Sequence, residues 1–393
     1  MTGDHSAHRA TPESRQLRLV SLATIVPVAL AAIAALVWLW PTGEARSGGA
    51  YAAPEVTGRV MALEPVECPP GMPGQNYTCA AATVQLDDSD KVVDAEVTNG
   101  PGTPQIDTGD RVVVVENQLP DGITYAVVDH ERKSGLVILG IAFAVALIAF
   151  GRWKGVTALI GLALTFAVLL LFMVPAILDG KPPLLVAIVG SAAIMLTVLY
   201  LTHGFSSATT VALLGTLASF ILTGALSWVA VELLHLTGVT DDISMAVGLT
   251  QQVDMRGLLL AGIVIGSLGV LDDVTVTQSV TVGELARANP AYTTRQLYRA
   301  GSRVGRSHIA SVVNTIVLAY AGASLPLLIL TVANNGSMGD VVTTQFMSQE
   351  IVRSAVATFG LIAAVPITTG LAAVALRRPR RGGRAAEPQP AGE

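Results

Sequence analysis

Eight stretches of this chain are apolar for about twenty residues at a time, the length of helix that crosses the hydrocarbon core of a bilayer. They are Val20–Trp40, Gly135–Phe150, Val156–Leu178, Leu184–Leu201, Ser207–Leu234, Gly257–Val276, Ile309–Val332 and Ile351–Leu376. In hydrocarbon every backbone N–H and C=O must find a partner inside the protein, which leaves only helices and closed barrels. Blocks this long without alternation read as helices. Charged residues make up 13% of the chain, against about 25% in soluble domains. The expected fold is therefore a membrane all-α bundle of eight transmembrane helices.

Lys and Arg set the orientation. With the N-terminus inside, the inner segments hold Arg9, Arg15 and Arg18, then Arg152 and Lys154, then Arg287 through Arg306, then Arg377 through Arg384. The short outer loops hold only Lys181, Arg256 and Arg353. Both termini are expected in the cytoplasm and residues 41–133 outside. The organisation follows: a disordered tail (1–19), an anchor helix (20–40), an extracytoplasmic domain (41–133), a seven-helix domain (134–376) and a basic tail (377–393). The first block reads as an uncleaved anchor, with Trp38 and Trp40 suited to the interface. The alternative is a signal peptide cut near Ala50-Tyr51-Ala52.

Residues 41–133 differ in kind. Short alternating runs, Gly58–Leu63, Ala80–Leu86, Val92–Val97, Arg111–Glu116 and Ile123–His130, are separated by turn signals such as Pro120-Asp121-Gly122. They predict a small antiparallel barrel or sandwich, all β, between the first two helices. The phrase Gly109 to Val114 is common in oligonucleotide-binding-type barrels. No aromatic platform or basic groove accompanies it, so nucleic acid is not an expected partner. The only cysteines, Cys68 and Cys79, fall here. Outside the membrane they are expected to form a structural disulfide across the loop Pro69–Gly74.

Within the membrane part, Leu258–Glu284 stands out. At about 100° per residue Gly262, Gly266, Gly269, Asp273 and Thr277 fall on one narrow stripe. A glycine stripe admits a close partner helix, within one chain or between two. Asp273, beside Asp272, is thereby expected to face protein, and an acid at that depth is a functional candidate. Asn314 sits at matching depth in the seventh block and is expected to approach Asp273. In the fifth block Thr209, Thr216, Ser219, Thr223 and Ser227 share a face, either a polar path or a packing seam. Glu232 and His235 read as a solvated helix end, and no metal site is expected. Arg295, Arg299, Arg303 and Arg306 share a face of a helix capped by Thr293 or Thr294, suited to anionic lipid or an acidic cytoplasmic partner. Pro326 and Pro366 are expected to break or bend the last two helices.

The phrases Asp254-Met255-Arg256-Gly257, Gly266-Ser267-Leu268-Gly269-Val270-Leu271-Asp272-Asp273, Asn289-Pro290, Asn314 to Tyr320 and Ser324-Leu325-Pro326 resemble the YibE/F-like family of bacterial membrane proteins. The resemblance covers about residues 135–376. It implies a multi-pass plasma-membrane protein with an outer domain after the first span. The aspartate associated with the family fits Asp273 better than Asp272. No activity comes with the resemblance.

Two readings of function remain. In the first, the chain is an ion- or proton-coupled permease for a small solute, with Asp273 and Asp272 as coupling carboxylates and Asn314 and Thr277 supplying partner oxygens. In the second, it is a non-transporting membrane module whose outer domain binds an envelope partner. The adjacent aspartates diverge by about 100° on one helix, poor geometry for a catalytic dyad, so an enzyme is not expected, nor a cofactor. The oligomeric state is left open.

Overall fold

The computed structural model of the chain describes residues 15–43, 54–68, 78–89, 91–100, 102–119, 122–333 and 338–377. In chain order the elements are α1 (Arg15–Trp38), β1 (Glu55–Val66), β2 (Thr78–Leu86), β3 (Val92–Asn99), β4 (Arg111–Leu119), β5 (Gly122–His130), α2 (Lys133–Gly151), α3 (Trp153–Val168), α4 (Val174–Leu178), α5 (Pro183–His203), α6 (Ser207–Leu233), α7 (Asp242–Gln251), α8 (Met255–Ala288), α9 (Thr294–Ala323), α10 (Leu325–Ala333), α11 (Met338–Thr343) and α12 (Gln345–Ala375). A π-helical segment, Leu169–Met173, joins α3 to α4. The expected tails, the Ala50–Ala52 site and the loop 69–74 fall outside the described residues, apart from Arg15–Leu19, which lie in α1, and Arg377. The chain divides into two compact units, residues 46–155 and residues 1–45 with 156–393.

In the first unit the five strands close a barrel in the order β1-β2-β3-β5-β4, with β4 returning to β1. Each pair is antiparallel except β3 with β5. This is the connectivity of an oligonucleotide-binding-type barrel, a Greek-key closure that leaves no long free edge. Alternation explains the inside: Val60, Ala82, Val84, Ala95, Val97, Val112 and Val114 are all buried. Bulges at Val60/Ala62 and Val113/Val114 supply the curvature that closure needs. At Gly58 a β-carbon would meet the Val84 side chain and the Gln85 carbonyl at 2.6 and 2.7 Å, so β1 can cross β2 this closely only with glycine. Cys68 and Cys79 form the expected disulfide at the end of the β1–β2 ladder. Outside the barrel Asp87 accepts from Arg111 and from the Thr57 hydroxyl. These bonds hold its carboxyl below the usual range. In the same unit α2 buries none of its residues.

The second unit is helical. Its core runs through Leu39, Phe172, Met173, Leu199, Leu213, Val264, Leu271 and Leu361. Trp40 stacks on Phe172 at 5.9 Å. Over the whole chain, six helical stretches among the described residues are long and apolar enough to cross a bilayer: α2, α3 through α4, α5, α6, α8 and α12. The other two expected spans are not among these. In α1 the described side chains begin at Ala23, and Ala23–Trp38 is apolar. The seventh block is split: α9 ends at Ala323, Ser324 caps it, and α10 begins at Leu325. Pro326 has no N–H to continue the ladder and its ring would crowd the preceding turn. Pro366 does not interrupt α12. The outer loop expected between the fifth and sixth blocks contains a helix, α7, started by a capping box between Asp241 and Ser244.

Candidate functional site

Three helices, α6, α8 and α12, form the polar heart of the bundle, because small side chains let them approach closely. The face of α6 that carries Thr209, Thr216, Ser219, Thr223 and Ser227 is buried along its whole length. Four of these hydroxyls donate back to their own helix: Thr216 to the Ala212 carbonyl, Ser219 to Gly215, Thr223 to Ser219 and Ser227 to Thr223. A hydroxyl satisfied this way needs no water or partner helix. The face meets α12 glycine against hydroxyl: Gly215 lies under Thr368, and Gly360 lies under Thr223. Toward α8, the Thr216 and Thr275 hydroxyls share a hydrogen bond of 2.5 Å, and Ser279 donates to the Ala208 carbonyl at 2.7 Å.

Around the aspartates and beyond, the buried side chains of α8 include Leu271, Val274, Thr275, Gln278, Ser279 and Val282. The glycine–aspartate stripe lies on the opposite flank. Gly266, Gly269, Asp273, Thr277 and Glu284 are exposed and Gly262 is half-buried. Of the three glycines only Gly266 meets another helix, at the Tyr320 hydroxyl; around Gly262 and Gly269 the space is open. Asp273 therefore does not face a neighbouring helix of its own chain, contrary to the expectation. Nor does the structure bring Asn314 to it. Both are exposed, and no hydrogen bond among the described residues joins them. Asn314 is about two and a half turns from Gly305 and so points away from α9's buried line, since Gly305 packs on Gln278 and Val365.

Asp272 sits differently. It is half-buried, and its Oδ1 is enclosed without a hydrogen-bond partner in the described structure. The Thr275 hydroxyl, one turn on, lies 2.5 Å from the Thr216 hydroxyl and 3.1 Å from the backbone carbonyl of Asp272, so it does not serve the carboxyl.

Gln278 was not legible as a site residue. Its amide donates to the Gly301 carbonyl at 2.9 Å and to the Thr369 hydroxyl at 2.6 Å, tying α8 to α9 and α12. Gly301 and Gly305 make room for it. The available signal was the pair of glycines four apart on an otherwise Arg-rich helix. Gln278→Leu keeps the volume and deletes both bonds. It is expected to cost about 1–2 kcal/mol, read as an earlier thermal midpoint in detergent; an unchanged midpoint would refute the tie.

Above this level a cavity of about 160 Å³ lies between α8, α9 and α12, bounded by Gly266, Ser267, Val270, Ile316, Tyr320 and Leu361. Arg353 stands 5.8 Å from the centre of the Tyr320 ring and pairs with Glu350 at 2.8 Å. Glu232 binds Arg256 rather than acting with His235. On α9, Thr293 forms a capping box with Gln296, and Arg295, Arg299, Arg303 and Arg306 are exposed.

Six helical stretches long and apolar enough to cross a bilayer, with a small β-barrel in the first unit, fit a membrane-embedded protein. The model of the YibE/F-like protein family matches residues 139–378; the chain belongs to that family. No curated protein and no solved structure matches it.

Proposed function

We propose that this is a plasma-membrane permease that couples movement of a small solute to the binding of a proton or cation at Asp272, with Asp273 and Thr277 on the adjoining flank of the same helix. The supporting observation is the enclosed Oδ1 of Asp272, which has no partner in the described structure. A charge in the interior of a membrane bundle is costly, and residues that carry one mark ion or proton pathways. Arrival of a proton or cation would neutralise it, giving the bundle two states that a solute can bias. In this reading the chain crosses the bilayer eight times, α1 and the α9–α10 pair included, with both termini cytoplasmic. The barrel faces outward, where its disulfide is chemically at home. The arginines of α9 rest on anionic headgroups, and the barrel's outer surface meets an envelope partner.

The hydroxyl seam favours a second reading. The Thr and Ser side chains of α6 are packed and back-bonded rather than open, as suits a module that does not transport. Reconstitution into liposomes separates the two. Under the permease reading the wild-type protein dissipates an imposed proton or sodium gradient, Asp272→Asn reduces that flux to background, and Asp273→Asn retains most of it. Correctly folded wild-type protein without flux, or Asp272→Asn with wild-type flux, would leave the module.

A further inference from the structure

The exposed flank of α8 and the exposed face of α9 are both polar, and in the eight-span reading proposed above a bilayer would surround the stretches that hold Asp273 and Asn314, with Glu284, Arg299 and Arg303 toward the headgroups. On α8 the flank presents Asp273, Thr277 and Glu284; on α9 the outer face presents Arg299, Arg303, Ser307, Ser311 and Asn314. Neither Asp273 nor Asn314 has a hydrogen-bond partner among the described residues, and Arg299 and Arg303 have no ion pair there. Unpaired polar groups are not left against lipid chains. The unpaired charges are opposite, Asp273 on α8 against Arg299 and Arg303 on α9, while Glu284 pairs with Arg287 on its own helix.

Their depths are fixed by contacts inside the chain. Tyr320 touches Gly266 at one level, and Val282 touches Gly301 at another. Since the helices run in opposite directions, these contacts place Ser311 level with Asp273, with Asn314 less than a turn away. Likewise Glu284 is half a turn below Val282 and level with Arg299. A two-fold axis along the membrane normal leaves every depth unchanged, so residues level within one chain are level between two.

We propose that a second copy of this chain covers this surface, so that α8 of each copy lies against α9 of the other. Asp273 of one copy then meets Ser311 and Asn314 of the other, and Arg299 joins the Glu284–Arg287 pair. The interface is isologous: one patch serves both sides and closes at two. The open space at Gly262 and Gly269 lets the second copy's helix come close. The assembly is independent of whether the protein moves a solute.

The test is cross-linking in native membranes. Two differently tagged chains are co-expressed, one carrying Asp273→Cys and the other Asn314→Cys, and are treated with a mild oxidant. A disulfide-linked dimer containing both tags is expected, several-fold above the yield from either variant alone. A cysteine at the exposed position Ile221, on α6, gives none. Equal linking of Asp273→Cys to itself would place α8 on α8 and overturn the arrangement, as would no linked product. Native mass spectrometry of the wild type guards against misfolded variants. A dimer is expected; monomer alone across the protein concentrations that membranes reach would overturn the proposal. Arg299→Glu is expected to shift the dimer toward monomer, and Glu284→Arg in the same chain to restore it.

Discussion

Gly215→Leu abolishes the folded bundle. A β-carbon at position 215 already overlaps the Thr368 side chain across the α6–α12 seam, and a whole isobutyl group must displace one helix from the other. Thr368 is fully buried, as are Thr216 and Ser219 beside Gly215, so no neighbouring side chain can swing into solvent. Overpacking a tight core costs about 1–3 kcal/mol, occasionally more. Here the same shift would part the Thr216–Thr275 hydroxyls, so about 3 kcal/mol or more is expected. The chain should leave a size-exclusion column in detergent as aggregate, and should show no cooperative melt. Gly140→Leu is the control. Gly140 lies on α2 with nothing near it, and the same substitution there is expected to change stability by less than about 0.5 kcal/mol. Equal behaviour of the two variants would mean that the seam is not tight.

Removing the disulfide loosens the barrel without touching the bundle. Cys68 and Cys79 are 11 residues apart, and closing a loop of that size stabilises by about 2–3 kcal/mol in the chain-entropy model. The barrel unit is small, so this is a large share of its stability. With Cys68→Ser and Cys79→Ser together, amide hydrogens of β1 and β2 are expected to exchange about 30- to 150-fold faster, the factor that corresponds to this free energy. Amides of α6 and α8 should be unchanged. Protection in β1 and β2 that stays within about threefold of wild type would show that the strand ladder, not the bridge, holds that end of the barrel.

The barrel was the most legible part of the chain. Each alternating run between turn signals became a strand, because period-two alternation allows a half-buried strand only one way to face. Legibility failed at α8. Periodicity correctly put Gly262, Gly266, Gly269, Asp273 and Thr277 on one flank. Which flank the bundle would bury was not in that pattern, for in an apolar helix both flanks look alike. The deciding contacts come from distant residues: Gly215 and Gly360 bring α6 and α12 together, and Gln278 reaches Gly301 and Thr369. Those fix α8 with Thr275 and Gln278 inward and Asp273 outward.

The sequence by itself determined that this chain carries long apolar helices fit for a membrane, that a disulfide-bridged β unit lies between the first two of its apolar blocks in sequence, and that Pro326 ends a helix. These follow from hydrophobic length, local alternation and the missing amide of proline, which act within a few turns of the chain. Only the tertiary structure decided which of two adjacent aspartates is enclosed. That choice depends on a rotation of about 100° on one helix, and the rotation is set by the sum of small packing contacts from helices far away in sequence.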